Sequence, residues 1–228
     1  MLKVDEIFES IQGESTLVGY PTTFLRLYGC NINCSYCDTK QESYTEMTIE
    51  EVAQKIREFG NRYVCITGGE PLLQWEEVNE LIRGFARSFN YTFSIETNGT
   101  IKIPEKRHFR TKFIMDIKMP SSNFYNLAQD TYKQSLENIG GDDEIKFVVQ
   151  NEEDLLAFKD VMNDIKDYWK ENKLNFMCPT IILSPVMSDQ CDFCASTHFA
   201  QDCFDFIKKY EFDFVRIMLQ QHKFMGVK

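Results

Sequence analysis

Short apolar runs alternate with amphipathic segments of helical period along the chain, a pattern typical of β/α proteins. Seven runs rich in β-branched and aromatic residues predict strands over residues 22–28, 63–67, 91–96, 112–117, 144–149, 180–183 and 214–219. The segments between them predict helices from the capping box at Thr48 to about Phe59, over 74–88, from Asn151 onward and over about 198–209.

Alternation of strands and helices predicts a mostly parallel sheet with right-handed crossovers. Seven strands fall short of the number that closes a TIM barrel. The expected fold class is therefore α/β, an open or partial TIM-like barrel of parallel strands with outer helices. The chain shows no internal repeat and no Gly/Ser-rich linker, so residues 1–228 are expected to form a single domain.

Unusual polar motifs follow the predicted strands at the point where each strand ends. These motifs occupy residues 29–38, 67–71, 96–99, 116–120 and 220–223. The carboxyl ends of parallel strands share one edge of the sheet, and that edge carries the active site in α/β proteins. The sequence therefore predicts one site that draws on motifs far apart in the chain.

Composition narrows the class of partner. The net charge is −10 and the pI about 4.9, which argues against nucleic acid as a main partner, because phosphate binding needs a surplus of Lys and Arg. No apolar stretch approaches the length of a membrane span. Eight cysteines without an N-terminal apolar leader favour a reducing cytoplasm, where thiols bind metals rather than pair.

Cys30, Cys34 and Cys37 have the spacing C-x3-C-x2-C on a loop after the first predicted strand. Three thiolates can hold three corners of an iron–sulfur cube, and the fourth iron is then open to a small chelating molecule. A zinc knuckle is the alternative, but structural zinc usually takes four protein ligands and no His or Cys follows closely. The spacing therefore favours a 4Fe–4S cluster that takes part in chemistry.

Two further motifs lie near the cysteines in the predicted fold. Gly68-Gly69-Glu70-Pro71 joins a strand to a helix, so its backbone can approach a ligand and its carboxylate can accept from an ammonium group, although an ordinary βα turn has the same composition. The hydroxyl of Thr39, beside Asp38, could bind magnesium or could belong to a simple turn.

Polar residues elsewhere are candidates for binding a polar heterocycle. Gln12 and Glu14 could read its hydrogen-bonding groups. Arg26 lies in an otherwise apolar strand, so it needs a partner, either a substrate carboxylate or an internal Asp or Glu. His222 lies in a tail that either folds back onto the active edge or frays. A second metal site among Cys178, Cys191, Cys194 and Cys203 is a further possibility, with an incomplete ligand pattern.

The cysteine spacing together with the Gly-Gly-Glu-Pro turn resembles the radical S-adenosylmethionine (SAM) superfamily. The resemblance implies a radical SAM core. It also implies that the open iron binds the amine and carboxylate of SAM, which is cleaved to methionine and a 5′-deoxyadenosyl radical.

A closer resemblance covers nearly the whole chain. The motifs that carry it are residues 8–14, Gly19-x-Pro21, residues 24–27, residues 29–31, residues 37–39 and Gln221-His222-Lys223 with Gly226. They are similar to the 7-carboxy-7-deazaguanine synthase family. This resemblance implies a lyase that converts 6-carboxy-5,6,7,8-tetrahydropterin to 7-carboxy-7-deazaguanine with loss of ammonia, in queuosine and 7-deazapurine biosynthesis. It implies a cluster, SAM, Mg²⁺, a flavodoxin- or ferredoxin-type reductant and a homodimer.

The resemblance also implies roles for individual residues. Cys30, Cys34 and Cys37 would bind the cluster and Thr39 the magnesium. The SAM-binding residues would be Tyr36, Asp38, Gly69, Glu70, Asp116 and Lys118. The substrate-binding residues would be Gln12, Gly13, Glu14, Arg26, Thr67, His222 and, through its backbone carboxylate, Lys228.

One position departs from the family pattern, because Ser15 stands where glycine is common. Two other functions use part of the same machinery. A glycyl-radical enzyme activase would act on a partner protein with the same cluster and SAM, and an electron carrier would use the cluster alone. The Gln-Gly-Glu motif, Arg26 and the His-containing tail favour a small heterocyclic substrate.

Overall fold

The computed structural model describes residues 1–85, 90–173, 178–187 and 193–227. Its strands are β1 (Leu2–Ile11), β2 (Pro21–Leu27), β3 (Thr45–Met47), β4 (Tyr63–Gly68), β5 (Thr92–Thr97), β6 (Thr111–Asp116), β7 (Glu144–Val149), β8 (Thr180–Pro185) and β9 (Val215–Ile217). Its α-helices are α1 (Ile49–Phe59), α2 (Trp75–Gly84), α3 (Tyr125–Ser135), α4 (Glu152–Glu171), α5 (Phe193–Lys209) and α6 (Gln221–Met225).

The strands form one sheet in the order β3-β1-β2-β4-β5-β6-β7-β8-β9. From β2 to β9 along this order every pairing is parallel, whereas β1 pairs antiparallel with β2 and with β3. The two ends of the sheet, β3 and β9, do not pair with each other. The open, partial barrel that the sequence predicts is therefore confirmed.

All seven predicted strands are present in the parallel part of the sheet, and the predicted range 144–149 matches β7 residue for residue. The helix predicted over 74–88 begins at Trp75, because Pro71–Gln74 form a 3₁₀ turn, and α2 ends at Gly84. The helix predicted from residue 198 begins earlier, at Phe193. The strand predicted over 214–219 is shorter, Val215–Ile217.

The helix starts follow from local capping. Thr48 accepts a hydrogen bond from the amide of Glu51, and the Glu51 carboxylate accepts from the amide of Thr48, so the predicted capping box opens α1. Asn151 caps α4 by accepting from the amide of Asp154, and three acidic residues in the first turn complement the helix dipole. No helix within the described ranges combines the length and the apolar character needed to cross a membrane.

The hydrophobic core lies between the sheet and the outer helices. In β2, Leu25 and Leu27 are fully buried on the helix side, whereas Phe24 and Arg26 lie on the opposite, inner side. The aromatic ring of Phe147 packs against Phe158 of α4, with ring centroids 4.9 Å apart. The inner face and the carboxyl edge are therefore left for polar side chains.

Candidate active site

An open cleft of about 770 Å³ lies at the carboxyl edge of the parallel strands. Residues from the motifs that the sequence singled out line this cleft: Gln12, Gly13, Glu14, Arg26, Cys30, Cys34, Tyr36, Cys37, Asp38, Thr39, Thr67, Gly69, Asp116, Lys118 and His222. The structure thus brings together candidate residues from the loop after β1, from β2, from the ends of β4 and β6, from the cysteine loop and from the tail. The prediction that the strand-end motifs converge on one edge is confirmed.

The Gly-Gly-Glu-Pro turn holds the start of the cysteine loop. The amide of Gly69 donates to the carbonyl of Leu27 at 3.0 Å, and the amide of Glu70 donates to the carbonyl of Gly29 at 2.8 Å. A Cβ atom at position 69 would lie 1.9 Å from the Gly29 carbonyl oxygen. Glycine is therefore required at position 69, because the two backbones meet there.

The Glu70 carboxylate is fully buried and bonds to the protein rather than lining the cleft. Its oxygens accept hydrogen bonds from the amide of Leu72 at 2.9 Å, the hydroxyl of Thr97 at 2.9 Å and the amide of Asn98 at 2.7 Å. Burial raises the pKa of Glu70, and the two amides act in the opposite direction. Glu70 therefore ties the turn after β4 to the end of β5.

Asn98 supports the cysteine loop from a second side. Its side-chain amide lies 3.6 Å from the Cys30 sulfur and donates to the side-chain oxygen of Asn31 at 3.0 Å. Asn31 in turn donates to the hydroxyl of Thr100 at 2.8 Å. The sequence marked residues 96–99 as an unusual strand end but gave Asn98 no role.

A third support comes from the segment after β6. The amide of Ser35 donates to the carbonyl of Ser122 at 3.4 Å, and the Ser35 hydroxyl donates to the carbonyl of Ser121. Ser121 is itself held by the buried carboxylate of Asp154, which accepts from its amide at 2.9 Å and its hydroxyl at 2.6 Å. The cysteine loop is therefore anchored to β4, β5 and the start of α4.

The three thiols are unpaired and accessible enough to bind a metal cluster. Cys30 and Cys37 are exposed, and Cys34 is half-buried. Burial raises the pKa of the Cys34 thiol, and the nearby ammonium of Lys118 acts against that rise. Among the described side chains no three His, Cys, Asp or Glu surround a point where a single metal ion could sit. Three free thiols on one loop fit an iron–sulfur cube, because each thiol would bind a different iron.

Asp116 and Lys118 lie beside the thiols. The Lys118 ammonium donates to Asp116 Oδ2 at 2.7 Å, while Asp116 Oδ1 is buried and has no hydrogen-bond partner within the described part of the chain. Tyr36 packs near them, with its ring centroid 5.8 Å from Lys118 Nζ. A buried acceptor without a donor, next to three free thiols, fits a cluster with a chelating cofactor that carries an ammonium and hydroxyl groups.

Gln12, Thr67 and Glu96 form a hydrogen-bonded group on the inner face of the barrel. Gln12 accepts from the amide of Glu14 at 3.1 Å, and its side-chain amide donates to Glu96 Oε1 at 3.4 Å. The Thr67 hydroxyl donates to Glu96 Oε2 at 2.9 Å. Burial raises the pKa of Glu96, and the neighbouring Glu14 charge adds to the rise.

Glu14 forms an ion pair with Lys146 and also accepts from the side-chain amide of Gln220. Burial favours the neutral acid, but the Lys146 ammonium outweighs it, so the pKa of Glu14 is lowered to about 2. The same pairing raises the pKa of Lys146 despite its burial. The fold therefore shifts the pKa values of two neighbouring carboxyl groups of the cleft in opposite directions, down for Glu14 and up for Glu96.

Glu96 and Lys146 both line the cleft, but the sequence marked Glu96 only as part of the strand end 96–99 without a role and did not single out Lys146. Each is a charged residue within an apolar strand, Glu96 in β5 and Lys146 in β7. The argument that made Arg26 a candidate applies equally to them, since a charge in a strand interior needs a partner.

Arg26 has an internal carboxylate partner. Its Nε atom donates to Glu6 Oε1 at 2.8 Å and its Nη1 atom donates to the Thr39 hydroxyl at 3.2 Å. The guanidinium carbon lies 5.5 Å from the centroid of the Phe8 ring. Of the two partners that the sequence left open, the structure shows the internal one, and it places Arg26 and Thr39 in direct contact.

The tail folds back onto the active edge through α6. The amide of Gln221 donates to the carbonyl of Gly13 at 2.9 Å. A Cβ atom at position 13 would lie 2.0 Å from His222 Nδ1, so His222 packs directly on this glycine. Lys223 pairs with Asp38 at 3.2 Å and donates to the carbonyl of Met187 at 3.1 Å. The alternative of a frayed tail is excluded for residues 221–227, while Lys228 lies outside the described residues.

Ser15 adopts a left-handed backbone, with φ of 65°. This conformation explains why glycine is common at the position in the family that the chain resembles. The buried serine offsets part of the strain, because its hydroxyl oxygen accepts from the amide of Leu17 at 3.0 Å. The loop after Gln12-Gly13-Glu14 therefore keeps its turn without a glycine.

The remaining cysteines do not form a described site. Cys203 is buried in α5, where burial raises the pKa of its thiol to about 12. Cys65 is buried in β4. Cys178 is half-buried, and its thiol pKa is also raised by burial. Cys191 and the side chain of Cys194 lie outside the described residues, so the predicted second metal site stays a prediction.

Comparison with known proteins gives consistent matches. A family model described as the radical SAM superfamily matches residues 25–140, which include the cysteine loop. A 7-carboxy-7-deazaguanine synthase from Clostridium acetobutylicum is 34% identical over 228 residues, covering 97% of this chain and 94% of that protein. One from Methanospirillum hungatei is 43% identical over 157 residues, covering 68% of this chain and 64% of that protein. The crystal structure of QueE from Escherichia coli superposes with a TM-score of 0.65 and 23% identity, over 97% and 94% of the two chains, which shows the shared fold.

Proposed function

The chain belongs to the 7-carboxy-7-deazaguanine synthase family of the radical SAM superfamily, and we propose that it converts 6-carboxy-5,6,7,8-tetrahydropterin to 7-carboxy-7-deazaguanine with loss of ammonia. The chain is a radical SAM lyase of queuosine and 7-deazapurine biosynthesis. The observation that carries the proposal is a single cleft in which three free thiols face a group of donors, acceptors and one guanidinium.

Cys30, Cys34 and Cys37 would hold a 4Fe–4S cluster, because their loop is anchored on three sides and their thiols are unpaired. SAM on the open iron of that cluster would supply, after reduction, the 5′-deoxyadenosyl radical that removes hydrogen from C6 of the pterin.

The residues proposed to surround SAM contribute in different ways. Gly69 offers its backbone, and Tyr36, Asp38, Asp116 and Lys118 line the cleft beside the thiols. The unsatisfied Oδ1 atom of Asp116 is suited to accept from an ammonium or hydroxyl group. Glu70 acts indirectly, because its carboxylate fixes the turn that presents Gly69.

Gln12, Gly13, Glu14 and Thr67 are proposed to bind the pterin ring, with Glu96 beside them. Glu14, with a pKa lowered to about 2, is ionised over the physiological range and accepts from amine donors, whereas burial raises the pKa of Glu96. Burial lowers the pKa of His222, so its neutral imidazole has one donor and one acceptor. Arg26 would bind the 6-carboxylate through a charge-assisted pair.

Magnesium is proposed to bind at the Thr39 hydroxyl. This oxygen lies on the cleft, 3.4 Å from Asp38 Oδ1 and next to the Arg26 guanidinium that would hold the substrate carboxylate. Mg²⁺ commonly takes few protein oxygens and completes its shell with substrate and water.

The exposed thiols and the continuous sheet also support proposals about the reductant, the domain organisation and the cellular compartment. We propose a flavodoxin- or ferredoxin-type reductant, because Cys30 and Cys37 lie at the surface and give a short path for the electron. A homodimer, a single domain over residues 1–228 and a cytoplasmic setting are part of the proposal. The single domain is supported by the continuous sheet, and the cytoplasm by thiols that must stay reduced to bind iron.

The test is an anaerobic incubation of the cluster-reconstituted protein with a reductant, SAM, Mg²⁺ and 6-carboxytetrahydropterin, followed by mass spectrometry. We expect 7-carboxy-7-deazaguanine, and we expect none from a variant in which the three cysteines are replaced by alanine. Cleavage of SAM without this product would contradict the proposed substrate and would favour the glycyl-radical activase instead.

A further inference from the structure

We propose that Glu6 is the positioning residue for Arg26: it fixes the guanidinium so that its outer edge faces the carboxylate of the substrate. This inference rests on the proposed function, since it assumes that Arg26 binds the 6-carboxylate. Glu6 belongs to β1 and Arg26 to β2, and the two residues are paired across the antiparallel ladder.

Glu6 could either orient Arg26 or occupy the edge of the guanidinium that would bind the substrate carboxylate. The hydrogen bonds of Arg26 favour the first role. Glu6 Oε1 accepts from Nε at 2.8 Å, and the Thr39 hydroxyl accepts from Nη1 at 3.2 Å. Neither contact uses Nη2. Because Nη1 and Nη2 each carry two hydrogens, the outer edge between them can still bind a carboxylate bidentately while Glu6 and Thr39 stay in place.

The guanidinium of Arg26 also lies near a pair of stacked aromatic rings. Phe8 and Phe24 are nearly parallel, with ring centroids 5.1 Å apart and an interplanar angle of 9°. The Arg26 guanidinium carbon lies 5.5 Å from the Phe8 centroid. A cation–π contact is not directional within the plane of the ring, so the bond from Nε to Glu6 supplies the directional contact that sets the orientation of the guanidinium.

Partial exposure makes the effect measurable without loss of the fold. The side chains of Arg26 and Glu6 are 20% and 29% exposed, so the pair is reachable by solvent and does not belong to the hydrophobic core. Glu6 also lies between the active cleft and a groove on the outer side of β1, and it lines both. A substitution at Glu6 should therefore change the orientation of Arg26 more than the stability of the sheet.

The experiment measures binding by anaerobic calorimetry, with the cluster-reconstituted protein saturated with SAM. Two ligands are compared, 6-carboxytetrahydropterin and tetrahydropterin without the carboxylate. For Glu6→Ala we expect about tenfold weaker binding of the carboxylated ligand and unchanged binding of the other. Glu6→Gln keeps an acceptor for Nε and should stay within about threefold of the wild type. Glu46→Ala, which removes an exposed carboxylate on neighbouring β3, is the matched control and should change neither.

Three results would overturn the inference: unchanged binding of the carboxylated ligand to Glu6→Ala, an equal loss for both ligands, or tighter binding, which would make Glu6 a competitor. If Glu6→Ala does not fold, Glu6→Asp takes its place. Its shorter side chain should weaken only the carboxylated ligand, and wild-type affinity would overturn the inference. Turnover by the wild type is measured in parallel, so that failure of the proposed function is seen separately.

Discussion

The proposal that the substrate carries a carboxylate depends mainly on one side chain, that of Arg26. It is the cation in β2 that lines the cleft, and it contacts both a carboxylate and the proposed magnesium ligand. A guanidinium in this position can recognise a carboxylate by geometry as well as by charge, which an ammonium does less well.

We therefore expect Arg26→Ala to lower kcat/KM for 6-carboxytetrahydropterin about 100-fold, because loss of a partly buried charge pair costs about 2–5 kcal/mol. Arg26→Lys should recover only part of this loss. The measurement is steady-state turnover, with iron content as a check that the cluster is intact. Arg62→Ala, at an exposed arginine that packs on Tyr63, is the control. Normal turnover by Arg26→Ala would remove Arg26 from the site.

The proposed magnesium site depends on the hydroxyl group of Thr39. Thr39→Ala should raise the half-saturating Mg²⁺ concentration about tenfold, equivalent to about 1.4 kcal/mol for the loss of one ligand among several. Thr39→Ser keeps the hydroxyl and should behave like the wild type. An unchanged response of Thr39→Ala in a magnesium titration of turnover would exclude this ligand.

At the scale of elements, the turn after β4 and the cysteine loop act as one unit. The backbone of Gly69 meets that of Gly29 so closely that a side chain cannot enter. The start of the loop that holds the thiols is therefore shaped by a turn about forty residues further along the chain.

This contact predicts that Gly69→Ala destabilises the protein by about 1–3 kcal/mol through overpacking and lowers the iron content after reconstitution. Gly84→Ala is the matched control, because a Cβ atom at position 84 meets nothing within 4 Å among the described residues. Thermal melting and iron analysis measure the two effects. Full iron binding with wild-type stability in Gly69→Ala would refute the coupling of turn and loop.

The sequence predicted the parallel strands well but not β1. The strands of the parallel part, such as β4 and β7, are mostly apolar runs, because helices cover one face and the barrel interior lies on the other. The short strand β3 is polar and exposed, and it was not predicted either. β1 carries Asp5 and Glu6 among its apolar residues, because this part of the strand lines two clefts instead of the core. The alternation of apolar and polar residues that would predict a strand is therefore obscured in β1 by the polar side chains that line the clefts.

The site was predicted where a motif has fixed local spacing, and it was missed where a residue acts through contacts across the fold. The cysteines and the Gln-Gly-Glu motif can be recognised from neighbouring residues alone. From the sequence, the Glu70 carboxylate was expected to bind SAM. The structure shows that its oxygens instead accept hydrogen bonds from Leu72, Thr97 and Asn98. Distances between strands decide such roles, and the sequence does not contain them.

For the whole molecule, the ion pair of Glu14 and Lys146 joins the loop after β1 to β7, and Gln220 adds the tail to the same carboxylate. The pKa of Glu14 falls from 4.5 to about 2 on folding, so its stabilising contribution is present above the unfolded value and is lost as the pH falls toward 2. The contribution is thus complete at neutral pH.

We expect Glu14→Gln to reduce the free energy of unfolding by about 2 kcal/mol at pH 7, because Lys146 loses the partner that compensates its buried charge. The difference from the wild type should shrink between about pH 4.5 and pH 2. Urea unfolding at a series of pH values measures it. A difference that does not change with pH would mean that Glu14 contributes by packing and not by charge.

We infer that the thiol loop and the polar inner face serve one reaction in one cleft. The most direct measurement uses 6-carboxytetrahydropterin labelled with deuterium at C6, incubated anaerobically with the reconstituted protein, SAM, Mg²⁺ and a reductant. The account predicts that deuterium is transferred to the 5′ position of the adenosyl group while 7-carboxy-7-deazaguanine forms. Formation of the product with no deuterium in the adenosyl group, or cleavage of SAM with all of the deuterium left in the pterin, would contradict it.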